Sequence, residues 1–140
     1  MKAVIDTNVF IGACIGQGAC RFVIAACLEE KLTPLMGVAL FAEYEDVMSR
    51  SDLFVRSRLD ADERDELLDI FISVCRWTRI YYGWRPNLRD ESDNHLVELA
   101  IAGGAEYIIT RNIRDVARME LLFPELKVVY PEAILKELSL

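Results

Sequence analysis

A chain of 140 residues, 53% hydrophobic and 28% charged, is long enough to bury a core without disulfide or metal staples and too apolar to be disordered. Its 23 acidic residues outnumber 16 basic ones, a net charge of −7, which excludes a basic, tail-driven nucleic-acid binder; contact with a polyanion has to be local or bridged by cations. No stretch approaches the ~18 apolar residues of a membrane span, and the N-terminal apolar run meets Asp6 at once, so a cytoplasmic protein without a targeting segment is expected.

The elements alternate, within one expected domain over residues 1–140. Residues 2–5 (KAVI) read as a buried strand ending at Asp6, followed by a Gly-containing loop and a helix over about residues 19–31. Pro34 enters a second strand at 35–38. A helix over about 39–50 carries Leu40, Phe41, Tyr44, Val47 and Met48 on one face. A polar stretch leads to a helix over about 61–75, whose acid-rich first turns suit the helix dipole. Residues 78–82 read as a strand, and 93–103 as a helix stopped by Gly103 and Gly104. A strand at 106–110 (EYIIT), a short helix at 114–122 and a strand at 127–130 follow, and Pro131 opens the last helix. This alternation implies right-handed crossovers: an α/β fold of three layers, with a parallel sheet of about five strands between helices. Ligands of such sheets bind beyond the carboxyl ends of the strands.

Cys14, Cys20, Cys27 and Cys75 contain no CxxC pair and His95 is the single histidine, so a zinc site of ordinary spacing is not expected. Cys20, Cys27 and Cys75 read as buried thiols, and His95 as a surface or helix-terminal residue.

Several acids and amides fall where the chemistry belongs. Asp6 closes the first apolar strand; it is either a site carboxylate or an Asx turn leaving the strand. Glu43 lies three residues after Leu40 and four before Val47, at the edge of an apolar stripe; the alternative is a solvated side chain. Asp93 opens the stripe of Leu96, Val97 and Ala100, with Asp90 and Glu91 just upstream; it or Ser92 could also be an N-cap. EYIIT ends in Thr110, and Arg111, Asn112 and Asp115 follow; the last two could simply cap a short helix. As a set, these residues converge on one sheet edge. Gathered carboxylates repel unless a cation sits among them, and oxygen-only ligands suit Mg²⁺ or Mn²⁺, ions that activate water against phosphodiesters.

The segments VIDTN (4–8), ALFAEYEDVM (39–48) and DESDNHLVELAIAGGAEYIITRNIRD (90–115), in that order, resemble a PIN domain, a family of metal-dependent ribonucleases that includes VapC-type toxins of toxin–antitoxin pairs. The resemblance covers essentially the whole chain. It implies a parallel sheet, an RNA substrate and cleavage by metal-activated water. It matches Asp6, Glu43, Asp93 and Asp115 to acids holding one or two Mg²⁺ or Mn²⁺ ions, with Asn8, Asp90, Thr110 and Asn112 supporting them. It also implies a homodimer and an antitoxin partner. One position departs from the pattern: many PIN domains carry an acid where Asn112 stands.

RNA needs positive charge or stacking surfaces. Arg79, Arg85, Arg89, Arg111 and Arg114 lie in or beside the acid-bearing segments, with Tyr81, Tyr82 and Trp84 interleaved; Arg111, between two site residues, is the foremost candidate, with Arg85 and Arg89 behind it. The same residues could instead pair with acids or close a core or dimer interface. Three other readings compete. Gly12, Gly16 and Gly18 give GxxxGxG, which is neither nucleotide-loop fingerprint. An aspartyl-phosphate enzyme would want an acid where Asn8 stands. A weakly active or inactive PIN module that binds RNA or a protein partner remains the alternative to a nuclease.

Overall fold

The computed structural model describes residues 1–80, 91–113 and 123–139, with the backbone alone for 91–94. The expected helix at 114–122, the end of the expected strand at 81–82, and Trp84, Arg85, Arg89, Asp90, Arg114 and Asp115 lie outside the described residues.

Five parallel strands form one sheet in the order β3-β2-β1-β4-β5. They are β1 (Lys2–Ile5), β2 (Thr33–Met36), β3 (Arg76–Trp77), β4 (Tyr107–Ile109) and β5 (Lys127–Val129). The helices are α1 (Thr7–Ile15), α2 (Gly18–Leu28), α3 (Val38–Met48), α4 (Ala61–Val74), α5 (Glu91–Gly103) and α6 (Pro131–Glu137), with a short 3-10 helix at Ser51–Phe54. Ala3, Val4 and Ile5 of β1 and Ile108 and Ile109 of β4 are fully or almost fully buried, as strands covered on both faces must be. Chain order runs outward from β1 through β2 to β3, then returns to the other side of β1 at β4. The order therefore reverses between β1 and β4, the position where doubly wound sheets open a crevice at their carboxyl ends. Ile5 and Ile109 are partners in the register, so β1 and β4 end flush, and the next residues, Asp6 and Thr110, emerge side by side.

Two elements differ from the sequence reading. The stretch after Asp6 is not a loop but helix α1, apolar all round, with Thr7, Val9, Phe10, Gly12, Ala13 and Cys14 buried. A helix whose half-exposed face is itself mostly apolar, Asn8 beside Ile11 and Ile15, shows no polar stripe, so periodicity does not reveal it, and its glycine imitates a turn. Gly12 lies inside the helix, and it is a glycine because α2 passes close by: a Cβ there would stand 2.6 Å from Cys20 Sγ. The turn is at Gly16, whose φ of +106° ends α1 in the left-handed conformation that glycine adopts without strain. The strand expected at 78–82 is instead Arg76–Trp77, where Leu35 and Met36 of β2 supply its partners. Among the described residues, no single helix is long and apolar enough to cross a membrane.

Below the sheet edge, Phe10 of α1, Tyr44 of α3 and Phe71 of α4 form an aromatic cluster with centroids 5.5–5.8 Å apart. The Tyr44 hydroxyl donates a 2.7 Å hydrogen bond to the Ile5 carbonyl, so the one polar atom of this core residue ties α3 to the last residue of β1. Residues 40, 44 and 47 of α3 are buried. Glu43, on the adjoining flank, is thereby carried to the sheet edge that Asp6 occupies.

Candidate active site

Asp6 serves two purposes. Its backbone is extended (φ −67°, ψ 151°), and its Oδ1 accepts the Thr7 N–H at 2.8 Å, so it is the N-cap of α1. Its Oδ2 accepts the Thr110 hydroxyl at 2.9 Å and the Asn8 side-chain amide at 3.4 Å. The two readings of Asp6 offered by the sequence are thus compatible: the cap leaves its carboxylate on the rim of the crevice.

Thr110 is the hub. It is fully buried, and its hydroxyl uses its whole hydrogen-bonding capacity. It donates to Asp6 and accepts the Asn8 amide at 3.2 Å and the Asn112 backbone N–H at 3.0 Å. Asn8 in turn accepts the Arg111 backbone N–H through its Oδ1 at 3.0 Å. Asn8, Thr110 and Asn112 therefore lock the two strand ends together around one carboxylate. In this frame Asn112 takes part through its backbone N–H, which any residue but proline could supply.

Glu43 faces this assembly from α3. Its Oε1 accepts the Thr7 hydroxyl at 3.2 Å, and its Oε2 lies 2.7 Å from His95 Nε2. Neither Thr7 nor His95 was a candidate from sequence. Of the two readings of His95, the surface one is corrected here: the residue lies near the start of α5, but its side chain is only 17% exposed and is turned onto a site acid. Asp93 lies two residues earlier in the backbone of α5, whose Leu96, Val97 and Ala100 are buried as their spacing implies.

Burial, first of all, raises Asp6 above the ordinary carboxylate range. The Thr110 hydrogen bond works the other way, and the neighbouring Glu43 charge adds to the rise. Two carboxylates thus share a partly dry rim, and the second adds to the cost of ionising Asp6. Among the described residues no group of three His, Cys, Asp or Glu is placed to hold a metal ion. The chemistry of the pair nonetheless fits a hard divalent cation: both donors are oxygens, and a positive charge between them relieves the repulsion.

Arg111, directly after Thr110, donates from Nη1 to Glu132 Oε1 at 2.6 Å. Burial opposes its charge, but Glu132 and the neighbouring Cys20 sulfur outweigh that and hold it above its ordinary value. Its side chain is 32% exposed, so a fixed cation stands beside the acidic rim.

A carboxylate at the switch point of a five-stranded parallel sheet, framed by threonine and asparagine from two strand ends, defines a doubly wound α/β protein with an acidic site. The model of the PIN domain family matches residues 2–114, and the chain belongs to that family. Among curated proteins, no match is found. Among solved structures, the chain resembles one in the crystal structure of VapBC2 from Rickettsia felis bound to a DNA fragment from their promoter. The TM-score is 0.58 at 18% identity, over 93% of this chain and 98% of that one, a likeness of fold.

Proposed function

We propose that this PIN domain is a metal-dependent endoribonuclease and the toxin component of a toxin–antitoxin pair. The observation that carries the nuclease reading is the convergence of Asp6 and Glu43 on the crevice, each with both oxygens held by neighbouring donors. Such preorganisation serves a site that holds charge in place while a reaction proceeds.

Asp6 and Glu43, with Asp93 and Asp115, would hold Mg²⁺ or Mn²⁺. When bound, the cation supplies charge neutralisation at the cleaved phosphodiester and lowers the pKa of water. The chain's own residues do the positioning. Thr110 and the Thr7 N–H fix the two oxygens of Asp6; Thr7 and His95 fix those of Glu43. Arg111, anchored by Glu132, offers its cation to the phosphate backbone of the bound strand. A net charge of −7 requires such local devices for holding RNA. The toxin reading, with an antitoxin as partner, takes its support from the likeness in fold to a chain of a VapBC2 complex; the homodimer is carried over from the family resemblance alone.

Cleavage of a mixed cellular RNA pool with Mn²⁺, Mg²⁺ or EDTA tests the activity. Cutting that requires the metal and disappears in Asp6→Asn supports it. Absence of cutting by folded wild-type protein free of a copurified partner would favour a module that binds RNA or protein without cleaving it.

A further inference from the structure

Beside the acidic rim lies an open cavity of about 520 Å³, lined by Asn8, Ile11, Gly12, Ile15, Gln17 and Arg111. We propose that this cavity is a nucleobase subsite, in which Gln17 selects bases with a carbonyl edge, uracil or guanine, over adenine. The inference rests on the nuclease reading and names what it leaves open: how one base of the strand is told from another.

Residues 8, 11, 12 and 15 lie along one face of α1. That face begins at Asn8, which holds Asp6, and extends on the order of 10 Å away from the rim, at 1.5 Å per residue. A strand whose phosphodiester lies at the acids thus has an adjacent place for a neighbouring nucleotide. The walls suit a base. Ile11 and Ile15 present apolar surface to a ring face, and Arg111, pinned by Glu132, closes the side of the cavity where the strand's phosphates pass.

Gln17 supplies the edge. Its Oε1 lies over Gly12, where a Cβ would approach it to 2.8 Å. There it accepts the Cys20 thiol at 3.5 Å. Its side chain makes no cap bond to α2, whose N-cap residue it is. With the carbonyl engaged inward, the side-chain NH₂ keeps two donors without a partner among the described residues. Two donors at this edge find two acceptors in guanine (O6 beside N7) and the O4 carbonyl beside a C–H in uracil, whereas in adenine the acceptor N7 stands next to the N6 amino group, so one donor faces another.

The test is equilibrium binding of fluorescently labelled U6 and A6 RNA to the whole chain in EDTA at low salt, so that nothing is cut. Wild type should bind U6 more tightly, on the order of 3- to 10-fold, the effect of one or two hydrogen bonds. Gln17→Ala should bring the two affinities together, and Gln17→Glu, an acceptor in place of a donor, should weaken U6 more than A6. Gln17 is exposed, so these variants keep the core intact. Equal affinities in wild type, or a preference that survives in Gln17→Ala, would overturn the subsite, while metal-dependent cutting lost in Asp6→Asn would leave the nuclease reading standing. No binding of either hexamer, in EDTA and again with Ca²⁺ added to neutralise the acidic rim, overturns the subsite too, and joined to an absence of cutting it removes both.

Discussion

His95 Nε2 stands 2.7 Å from Glu43 Oε2, joining helices α5 and α3 across residues 52 apart in the chain. With the Thr7 hydroxyl on the other oxygen, this leaves the Glu43 carboxylate no free rotation. A glutamate side chain gives up rotamer freedom when its head is fixed, and His95 and Thr7 meet that entropy in advance of any ligand.

His95→Leu should weaken Mn²⁺ binding about 10-fold or more, the usual effect of losing a partner that orients a ligand. His95→Gln, which keeps a donor near the Nε2 position, should recover most of it. Titration calorimetry on the folded variants checks this. Unchanged affinity in His95→Leu would reduce the contact to a packing feature.

Asp6 makes metal-free stability depend on pH. Burial raises its pKa, so the folded state takes up the proton more readily than the unfolded chain. The stabilisation this gives is fully present below the unfolded pKa and is lost as pH rises through the folded one. At neutral pH the ionised Asp6 is therefore a cost, and Asp6→Asn in EDTA should melt a few degrees higher, for a gain of ~1 kcal/mol. The gap should narrow as the pH falls through the Asp6 range. Added Mn²⁺ should stabilise wild type and leave the variant behind. Scanning calorimetry at two pH values, with and without Mn²⁺, measures all of these.

Thr110→Val keeps the shape of a fully buried side chain and deletes its hydroxyl. The Asn8 amide and the Asn112 N–H then lose an acceptor, and Asp6 loses a donor. A destabilisation of ~1–3 kcal/mol is expected in urea. Thr110→Ser, which keeps the oxygen, should lose less and should preserve metal affinity.

The thiols should resist alkylation. Burial pushes Cys14 up to about 11 and Cys75 up to about 12, and raises Cys20 and Cys27 as well. At pH 8 little thiolate is present, and Cys14, Cys20 and Cys27 are out of contact with solvent. Iodoacetamide in native buffer should label them at the rate of unfolding, as mass spectrometry against a denatured control would register.

What could be read from the sequence follows from how local each signal is. β1 and Asp6 were legible because an acid directly behind a fully apolar run is a local anomaly. Asp93 stood out in the same way, at the head of an apolar stripe. Helix α1 was not legible, since Thr7–Ile15 is apolar nearly all round and three glycines imitate a loop, although only Gly16 adopts the left-handed turn. Thr7 and His95 carry no pattern of their own. Their roles arise from α3 and α5 meeting in space, and no local window contains that contact. Tyr44 was legible as a core residue through its spacing, but its bond to the Ile5 carbonyl was not.

The pairing of β1 with β4 bears on when the site comes into being. The Asp6 N–H donates to the Ile109 carbonyl and the Asp6 carboxylate receives Thr110, contacts separated by more than a hundred residues. A chain still emerging from a ribosome, with β1, β2 and β3 already available, has neither partner, and its first acid faces water with no frame around it. Pairing across so long a separation is slow, and it awaits the segment that carries β4. The frame around Asp6 is thus completed only after the segment carrying Ile109 and Thr110 has emerged and paired with β1.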